Sequence, residues 1–341
     1  MSKKLAVLGT GAIGGSIGAD LTRAGYDVAL IDQWPAHVEA MKSQGLRVRM
    51  PEGELHLPVQ AVHICELAGL KTQFDIVFLA AKSYDSRWMA ELIKPYLKPD
   101  GVLVSTQNSL NDEWVAPIIG PERDIGCALE LSAEVFDPGI VKRNTDPAHT
   151  RFVVGELDGT ITARVQEVAQ ILGVAGKTEV TANIWGAKWT KLTVNTMVMG
   201  VDSIGGIGPW ELVQNTKYVD FCVKLGRETV EVGAALGHTL EPLFGLTAED
   251  FLGSTDEKLK TLVLKLAGDV GKEARSCVLQ DLLKGRLSEI GGYLNGLVAR
   301  KGRDVNVQTP LNEVVASLVG QIEDGKLQMN RSNLEMLDQY L

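Results

Sequence analysis

Apolar and polar positions near the start of the chain fall into a strand, a turn and a helix. Leu5-Ala6-Val7-Leu8 is an unbroken apolar run, three glycines follow at positions 9, 11 and 14, and Ile17 to Leu21 continues with helical spacing. A short apolar run bounded by glycine reads as a buried strand, and recurrence at three and four residues reads as an amphipathic helix. The alternation repeats. Val28 to Ile31 is a second apolar run, His37 to Met41 a helix, and Leu46 to Val59 a set of short strands. Phe74 to Ala80 and Gly101 to Ser105 are continuous apolar runs, the pattern of strands buried on both faces, with a helix predicted from Trp88 to Leu97 between them. Arg123 to Leu131, Gly139 to Arg143 and Arg151 to Gly155 predict further strands of more hairpin-like character, and Val174 to Val180 a strand near the edge. Strand alternating with helix predicts an α/β fold with a doubly wound parallel sheet of Rossmann type, whose ligands sit at the carboxyl ends of the strands. Two segments leave those ends, Ala81 to Tyr84 with Lys82, and Thr106 to Asn111 with Asn108.

From about Asn183 helical periodicity takes over, through Phe221 to Leu236, Lys258 to Val270 and Leu287 to Val298, punctuated at Gly205 to Pro209 and Thr309-Pro310. The expected organisation is a dinucleotide-binding domain over 1–182 and an all-α domain over 183–341 that serves substrate binding and dimerisation.

The glycines carry the first chemistry. In a Gly-x-Gly-x-x-Gly turn between strand and helix, Gly9 permits the sharp turn, Gly11 lets backbone approach a pyrophosphate, and Gly14 lets the helix pack close. The helix N-terminus at Ala12 and Ile13 offers N–H donors and a partial positive charge. Asp32 closes the second apolar run, about 20 residues past the fingerprint, where a carboxylate accepts hydrogen bonds from ribose hydroxyls. It would repel a 2′-phosphate, and Gln33, Trp34 and Pro35 offer no cation; Lys42, Arg47 and Arg49 lie further on. NAD is therefore expected over NADP. The alternative is that Asp32 caps the helix containing His37 to Met41.

Composition narrows the rest. The chain has 341 residues and a net charge of −9, which argues against nucleic acid as a partner. Cys65, Cys127, Cys222 and Cys277 form no Cys-x-x-Cys pair and no disulfide framework. His37, His56, His63, His149 and His238 lack ligand spacing, so no metal is expected and each reads as a surface or loop residue. No apolar run reaches the ~18 residues of a membrane span. Met1 to Lys4 runs straight into the first strand, so we expect no signal peptide and a cytoplasmic location.

Lys191 and Asn195 are four apart on a predicted helix and share a face. A lysine there can protonate a carbonyl oxygen while the asparagine orients the substrate. The bland alternative is a solvent-facing lysine, with Lys188 as a rival. Glu289, read as an acid within an amphipathic helix, either meets a substrate hydroxyl or Lys191, or is a surface residue.

Taken together, Gly9-x-Gly11-Ala-Ile-Gly14-Gly15, Lys82, Asn108, Trp189-x-Lys191-Leu-x-x-Asn195, and Leu279-Gln-Asp281 followed by Gly285-Arg286, Glu289-Ile290, Asn295-Gly296 and Thr309-Pro310-x-Asn312 resemble the ketopantoate reductases over about residues 4–320. The resemblance implies hydride transfer between nicotinamide and a 2-oxo or 2-hydroxy acid. It gives Lys191 the role of general acid and Glu289 that of a substrate-binding carboxylate. Asn195 becomes a substrate ligand, and Asn108 a neighbour of both cofactor and substrate. Departures from the family pattern point elsewhere within it. Met199 replaces an asparagine, Cys277 a substrate-contacting serine (with Ser276 adjoining), Ser109 a glycine and Gly291 an aspartate, and Asp32 stands where biosynthetic members that use NADPH carry a basic residue. The expected function is an NAD-dependent reductase or dehydrogenase acting on a small 2-oxo or 2-hydroxy acid, with a homodimer as a fair expectation. The alternatives are an NADPH-dependent 2-dehydropantoate 2-reductase and a non-catalytic dinucleotide sensor.

Overall fold

The computed structural model describes residues 3–241 and 256–341. The chain divides into two compact units, Met1–Ile184 and Trp185–Leu341.

The first unit is built on an eight-stranded sheet, ordered β12-β11-β8-β7-β6-β1-β2-β5. Its strands are β1 (Lys4–Leu8), β2 (Asp27–Asp32), β5 (Gln60–His63), β6 (Phe74–Leu79), β7 (Leu97–Ser105), β8 (Asp124–Glu130), β11 (Arg151–Glu156) and β12 (Lys177–Val180). From β5 to β8 every pairing is parallel; β11 runs antiparallel to β8, and β12 parallel to β11. Successive side chains of a strand point to opposite faces, so Leu5 and Val7 join one core while Ala6 and Leu8 join another. The first face is covered by Ile17 and Leu21 of α1 (Ala12–Arg23), with Val38 and Met41 of α2 (Pro35–Gln44) in the same core. The second is covered by Met89 and Ile93 of α3 (Ser86–Ile93) and by Val115 and Ile119 of α4 (Asp112–Ile119). Val165, Val168 and Leu172 of α5 (Ala163–Leu172) complete the first face. Continuous apolar runs, such as Leu5 to Leu8 in β1 and Ile76 to Leu79 in β6, are what two covered faces require.

The hairpin-like reading of residues 123–155 holds for β11 against β8, which are antiparallel, and needs correction elsewhere. β8 is a parallel neighbour of β7. The short strands β3 (Leu46–Met50), β4 (Gly53–Leu57), β9 (Ala133–Glu134) and β10 (Ile140–Arg143) form a separate sheet, ordered β4-β3-β10-β9 and parallel between β3 and β10. Arg143, 1% exposed, reaches from β10 to the Asp20 carboxylate of α1 and to Thr150 and the Ala175 carbonyl.

His37 is also corrected: it is a fully buried residue of α2, neither surface nor loop. Nor does Asp32 cap α2, whose N-cap is Trp34. The helix predicted from Trp88 to Leu97 ends as α3 at Ile93, followed by a 3₁₀ turn at Lys94–Tyr96.

The second unit is helical, with α6 (Ile184–Gly205), α7 (Pro209–Leu212), α8 (Thr216–Ala235), α9 (Asp256–Asp269), α10 (Cys277–Leu283), α11 (Ile290–Tyr293), α12 (Asn295–Asp304) and α13 (Pro310–Glu323), then a 3₁₀ segment at Arg331–Tyr340. Two glycines of α8 let it cross close to α6. A Cβ on Gly226 would stand 2.8 Å from Met197 Sδ, and one on Gly233 3.0 Å from the Trp189 ring. Leu287 to Val298 is not one helix: Leu294 breaks it, and Glu289 lies just before the one-turn α11. Asn295 donates to the Thr196 carbonyl of α6 and to Asn312 Oδ1, while Asn312 donates to the Leu225 carbonyl and Glu228 of α8. These two asparagines are therefore architectural cross-links among four helices.

Candidate active site

The glycine turn after β1 fits a dinucleotide phosphate. Gly9 has φ +89°, and a Cβ there would lie 2.7 Å from the Ala81 nitrogen. A Cβ on Gly14 would stand 2.1 Å from the Gly9 carbonyl, so the helix reaches its place only with glycine. Gly11 faces open space. No side chain caps α1 and no acidic residue occupies its first turn, so the N–H groups at Ala12 and Ile13 are offered to an anion without competition.

Asp32 ends β2 directly behind this turn. Its Oδ2 accepts from the Thr10 N–H at 2.6 Å and the Thr10 hydroxyl at 3.1 Å, and its Oδ1 accepts from the Trp34 N–H at 2.8 Å. A carboxylate offers about four acceptor positions, so three protein donors leave room for a ribose hydroxyl. The Thr10 carbonyl is held as well, 3.0 Å from His37 Nε2, while His37 Nδ1 accepts from the Gly139 N–H at 2.9 Å. With Nδ1 accepting, the single ring proton sits on Nε2. Burial holds the imidazole below its ordinary range, against the raising influence of the Asp32 charge and the Thr10 carbonyl. Trp34 stacks on the ring at 5.4 Å. Sequence reasoning missed Thr10 and His37 because neither residue type is diagnostic of such a loop.

The segments after β6 and β7 are joined by a buried polar network. Ser86 donates to Asn111 Oδ1 at 2.7 Å, Gln107 Nε2 to Ser86 at 2.7 Å, and Asn111 Nδ2 to Ser83 at 3.0 Å. The Asn111 amide also donates to the Asn108 carbonyl. Lys82 and Asn108, both partly exposed, are held in these two segments. Ser109 has φ +72°, which explains structurally why glycine suits this position.

In the second unit, α6 carries Lys191, Asn195 and Met199 at four-residue steps, hence along one stripe. Lys191 and Met199 are partly exposed and Asn195 is fully buried. Lys188, one turn before Lys191, is 2% exposed. The stripe continues across to α10: Cys277 Sγ stands 3.6 Å from Met199 Sδ and 3.9 Å from Glu289 Oε2. Glu289 itself is 3% exposed, which excludes the surface reading. Ser276 turns the other way. It caps α10 by accepting from the Leu279 N–H and donates to Asp202 Oδ1 at 3.0 Å. The structure thus links Met199, Cys277 and Glu289 through sulfur and pairs Ser276 with Asp202, an acid the sequence reading passed over.

Comparison with known proteins fits this arrangement. The family profile described as "Ketopantoate reductase PanE/ApbA" matches residues 5–159, and "Ketopantoate reductase PanE/ApbA C terminal" matches residues 183–323. The chain belongs to the ketopantoate reductase family. It is thus an oxidoreductase of that family, with a Rossmann-like first unit. A 2-dehydropantoate 2-reductase of Pyrococcus horikoshii is 28% identical over 318 residues, 93% of this chain and 96% of that protein. The PanE/ApbA family ketopantoate reductase of Ralstonia eutropha JMP134 has a TM-score of 0.78 at 26% identity, covering 95% of this chain and 99% of that one. D-mandelate dehydrogenase, solved with NADH and anilino(oxo)acetate, has a TM-score of 0.83 at 24% identity over 94% of this chain and 99% of that one, a likeness of fold. Among the described residues no helix is long and apolar enough to cross a membrane.

Proposed function

We propose that this family member is an NAD-dependent oxidoreductase that interconverts a small 2-oxo acid and its 2-hydroxy acid, with Lys191 as general acid and base. The observation that carries the reading is the stripe Lys191, Asn195, Met199 on α6, extended by contact to Cys277 and Glu289. The nicotinamide, when bound, supplies or takes the hydride. The chain's own residues deal with the substrate. In reduction, the carbonyl oxygen gains negative charge as the carbon gains hydride, and Lys191 delivers a proton to it. That interaction is stronger in the transition state than in the ground state, so it accelerates the step. In oxidation the neutral amine takes the proton back. Asn195 orients the substrate oxygens, Glu289 accepts from a substrate hydroxyl, and Asn108 and Lys82 border the cofactor.

The cofactor preference rests on Asp32. Its carboxylate has an acceptor position left for a ribose hydroxyl and repels a phosphate there. D-mandelate dehydrogenase, which shares the fold, was solved with NADH. NAD pools are usually oxidised in cells, which favours oxidation of a hydroxy acid as the working direction in the cytoplasm. The second reading, an NADPH-dependent 2-dehydropantoate 2-reductase, is favoured by the name of the P. horikoshii relative. Against it stand Met199 and Cys277, which offer sulfur where hydrogen bonds to a hydroxylated tail are wanted. A sensor without turnover has no use for Lys191 and Glu289 together.

Steady-state assays with NADH and NADPH over a panel of 2-oxo acids that includes ketopantoate test the proposal. We expect turnover with NADH and a preference for a less hydroxylated tail. Highest kcat/KM with NADPH and ketopantoate would establish the second reading, and no turnover with any pair would leave the sensor.

A further inference from the structure

Asp202 lies on α6, three residues past Met199, and is 0% exposed. Its Oδ1 is 2.9 Å from Ser203 Oγ and 3.0 Å from Ser276 Oγ, whereas its Oδ2 is buried with no hydrogen-bond partner among the described residues. Proton counting decides how these contacts run. Ser203 Oγ is also 2.6 Å from the Met199 carbonyl, and two oxygens that close require a hydrogen between them. A serine has one hydroxyl proton. With that proton on the Met199 carbonyl, the Ser203 contact to Asp202 needs a proton from Asp202. Ser276, meanwhile, accepts from the Leu279 N–H at 3.2 Å and has its own proton free for Asp202.

We infer that Asp202 stands as an un-ionised acid in the middle of a one-way hydrogen-bond chain, and is the positioning residue that sets Cys277 against Met199. The chain runs from the Leu279 N–H to Ser276, from Ser276 to Asp202 Oδ1, from Asp202 to Ser203, and from Ser203 to the Met199 carbonyl. Every donor is used once. Its first end is the N-cap of α10, next to Cys277, and its last is the backbone of Met199, so it ties together the two residues whose sulfurs meet at 3.6 Å.

Burial agrees with a neutral acid, since an ionised carboxylate with an unsatisfied oxygen would be costly here. Desolvation drives the Asp202 carboxyl far above the usual carboxylate range. On the neighbouring α8, Cys222 is wholly buried and its thiol is pushed up chiefly by burial. A hydrogen-bonded chain polarises along its length, which makes the central acid the member whose loss disconnects both ends.

The test begins with the whole protein free of substrate. Infrared difference spectra between wild type and Asp202→Asn at neutral pH should show the carbonyl stretch of an un-ionised carboxyl in wild type only. The amide is isosteric but cannot accept and donate through one oxygen. In a Cys65→Ser background, which removes the exposed thiol, Asp202→Asn should raise the reactivity of Cys277 toward an aromatic disulfide by about fivefold to tenfold, the population change that follows loss of a buried hydrogen bond. Absence of the un-ionised band from wild type overturns the neutral acid, whether or not the variant folds. Unchanged Cys277 reactivity in a folded variant overturns the positioning role. The third readout rests on the proposed function. Asp202→Asn should raise KM for the 2-oxo acid several-fold and leave kcat near wild type, and a loss confined to kcat contradicts positioning. Because the first two readouts need no substrate, failure of the proposed activity leaves them intact.

Discussion

Asp32 and Thr10 are joined twice, through the backbone N–H and through the hydroxyl, both to the same carboxylate oxygen. The residue that is to choose the dinucleotide therefore also fixes the loop that is to hold its phosphates. Neither bond is available to a phosphate-binding cation placed at position 32, which links cofactor choice to loop geometry.

NAD(H) should bind about tenfold or more tightly than NADP(H), a difference on the order of 1.4 kcal/mol. Asp32→Arg should reverse the preference while lowering stability by about 1–3 kcal/mol, because the buried Thr10 N–H loses its acceptor. Calorimetric titration with both dinucleotides and a denaturant melt separate the two effects. Equal binding of NADPH by wild type would refute the assignment.

His37 should make stability depend on mild acid. Its ring is buried and its folded-state affinity for a second proton is lowered, so it stays neutral where the unfolded chain takes up a proton. The unfolded state then binds more protons as pH falls below about 6.5, and stability is lost from there down through the folded-state value. His37→Asn should flatten that part of the profile in pH-resolved denaturant titrations. An unchanged slope would show that His37 is not its source.

The buried pair of Arg143 and Asp20 predicts a large and conditional cost. Arg143→Met strands the Asp20 carboxylate, whose other cation, Arg23, is half exposed, and should cost about 3–5 kcal/mol. Adding Asp20→Leu should recover most of it. A double-mutant cycle with no coupling would contradict the pairing.

Met199→Asn combined with Cys277→Ser should shift kcat/KM toward hydroxylated 2-oxo acids, ketopantoate included, by about 10- to 100-fold, because a site that pairs a substrate hydroxyl discriminates against analogues lacking it. The tail preference of wild type should weaken in parallel. No change in the ratio would place the tail elsewhere.

Much of the fold was legible in the sequence, since continuous apolar runs have few uses other than strands covered on both faces. The small sheet was not: β9 has two residues, and β10 pairs with β3 across about ninety residues, a non-local relation no local pattern records. The sharp turn at Gly9 and the close helix packing at Gly14 were legible because each of these two glycines answers a steric demand, whereas Gly11 faces open space. Glu289 was placed on a helix because its flanks are apolar at helical spacing, yet Leu294 leaves helical geometry and cuts the run. Asp202 was visible as the one acid within α6, four residues after Val198 and three after Met199, but only the fold brings Ser276 to it. His37 escaped because its two partners, Thr10 and Gly139, lie far away in sequence.

The proposed reaction depends on Lys191. Single-turnover and steady-state rates with NADH and the best 2-oxo acid should be compared for wild type, Lys191→Ala and Lys188→Ala, with NADH affinity measured alongside by fluorescence. Lys191→Ala should lower kcat by about 100-fold or more, the scale of general acid catalysis, with NADH affinity unchanged. Lys188→Ala, altering a buried residue one turn earlier, should keep turnover per folded molecule. Near-wild-type turnover in Lys191→Ala together with its abolition in a folded Lys188→Ala would rule out Lys191 as the general acid, and the assignment of Asn195 would fall with it.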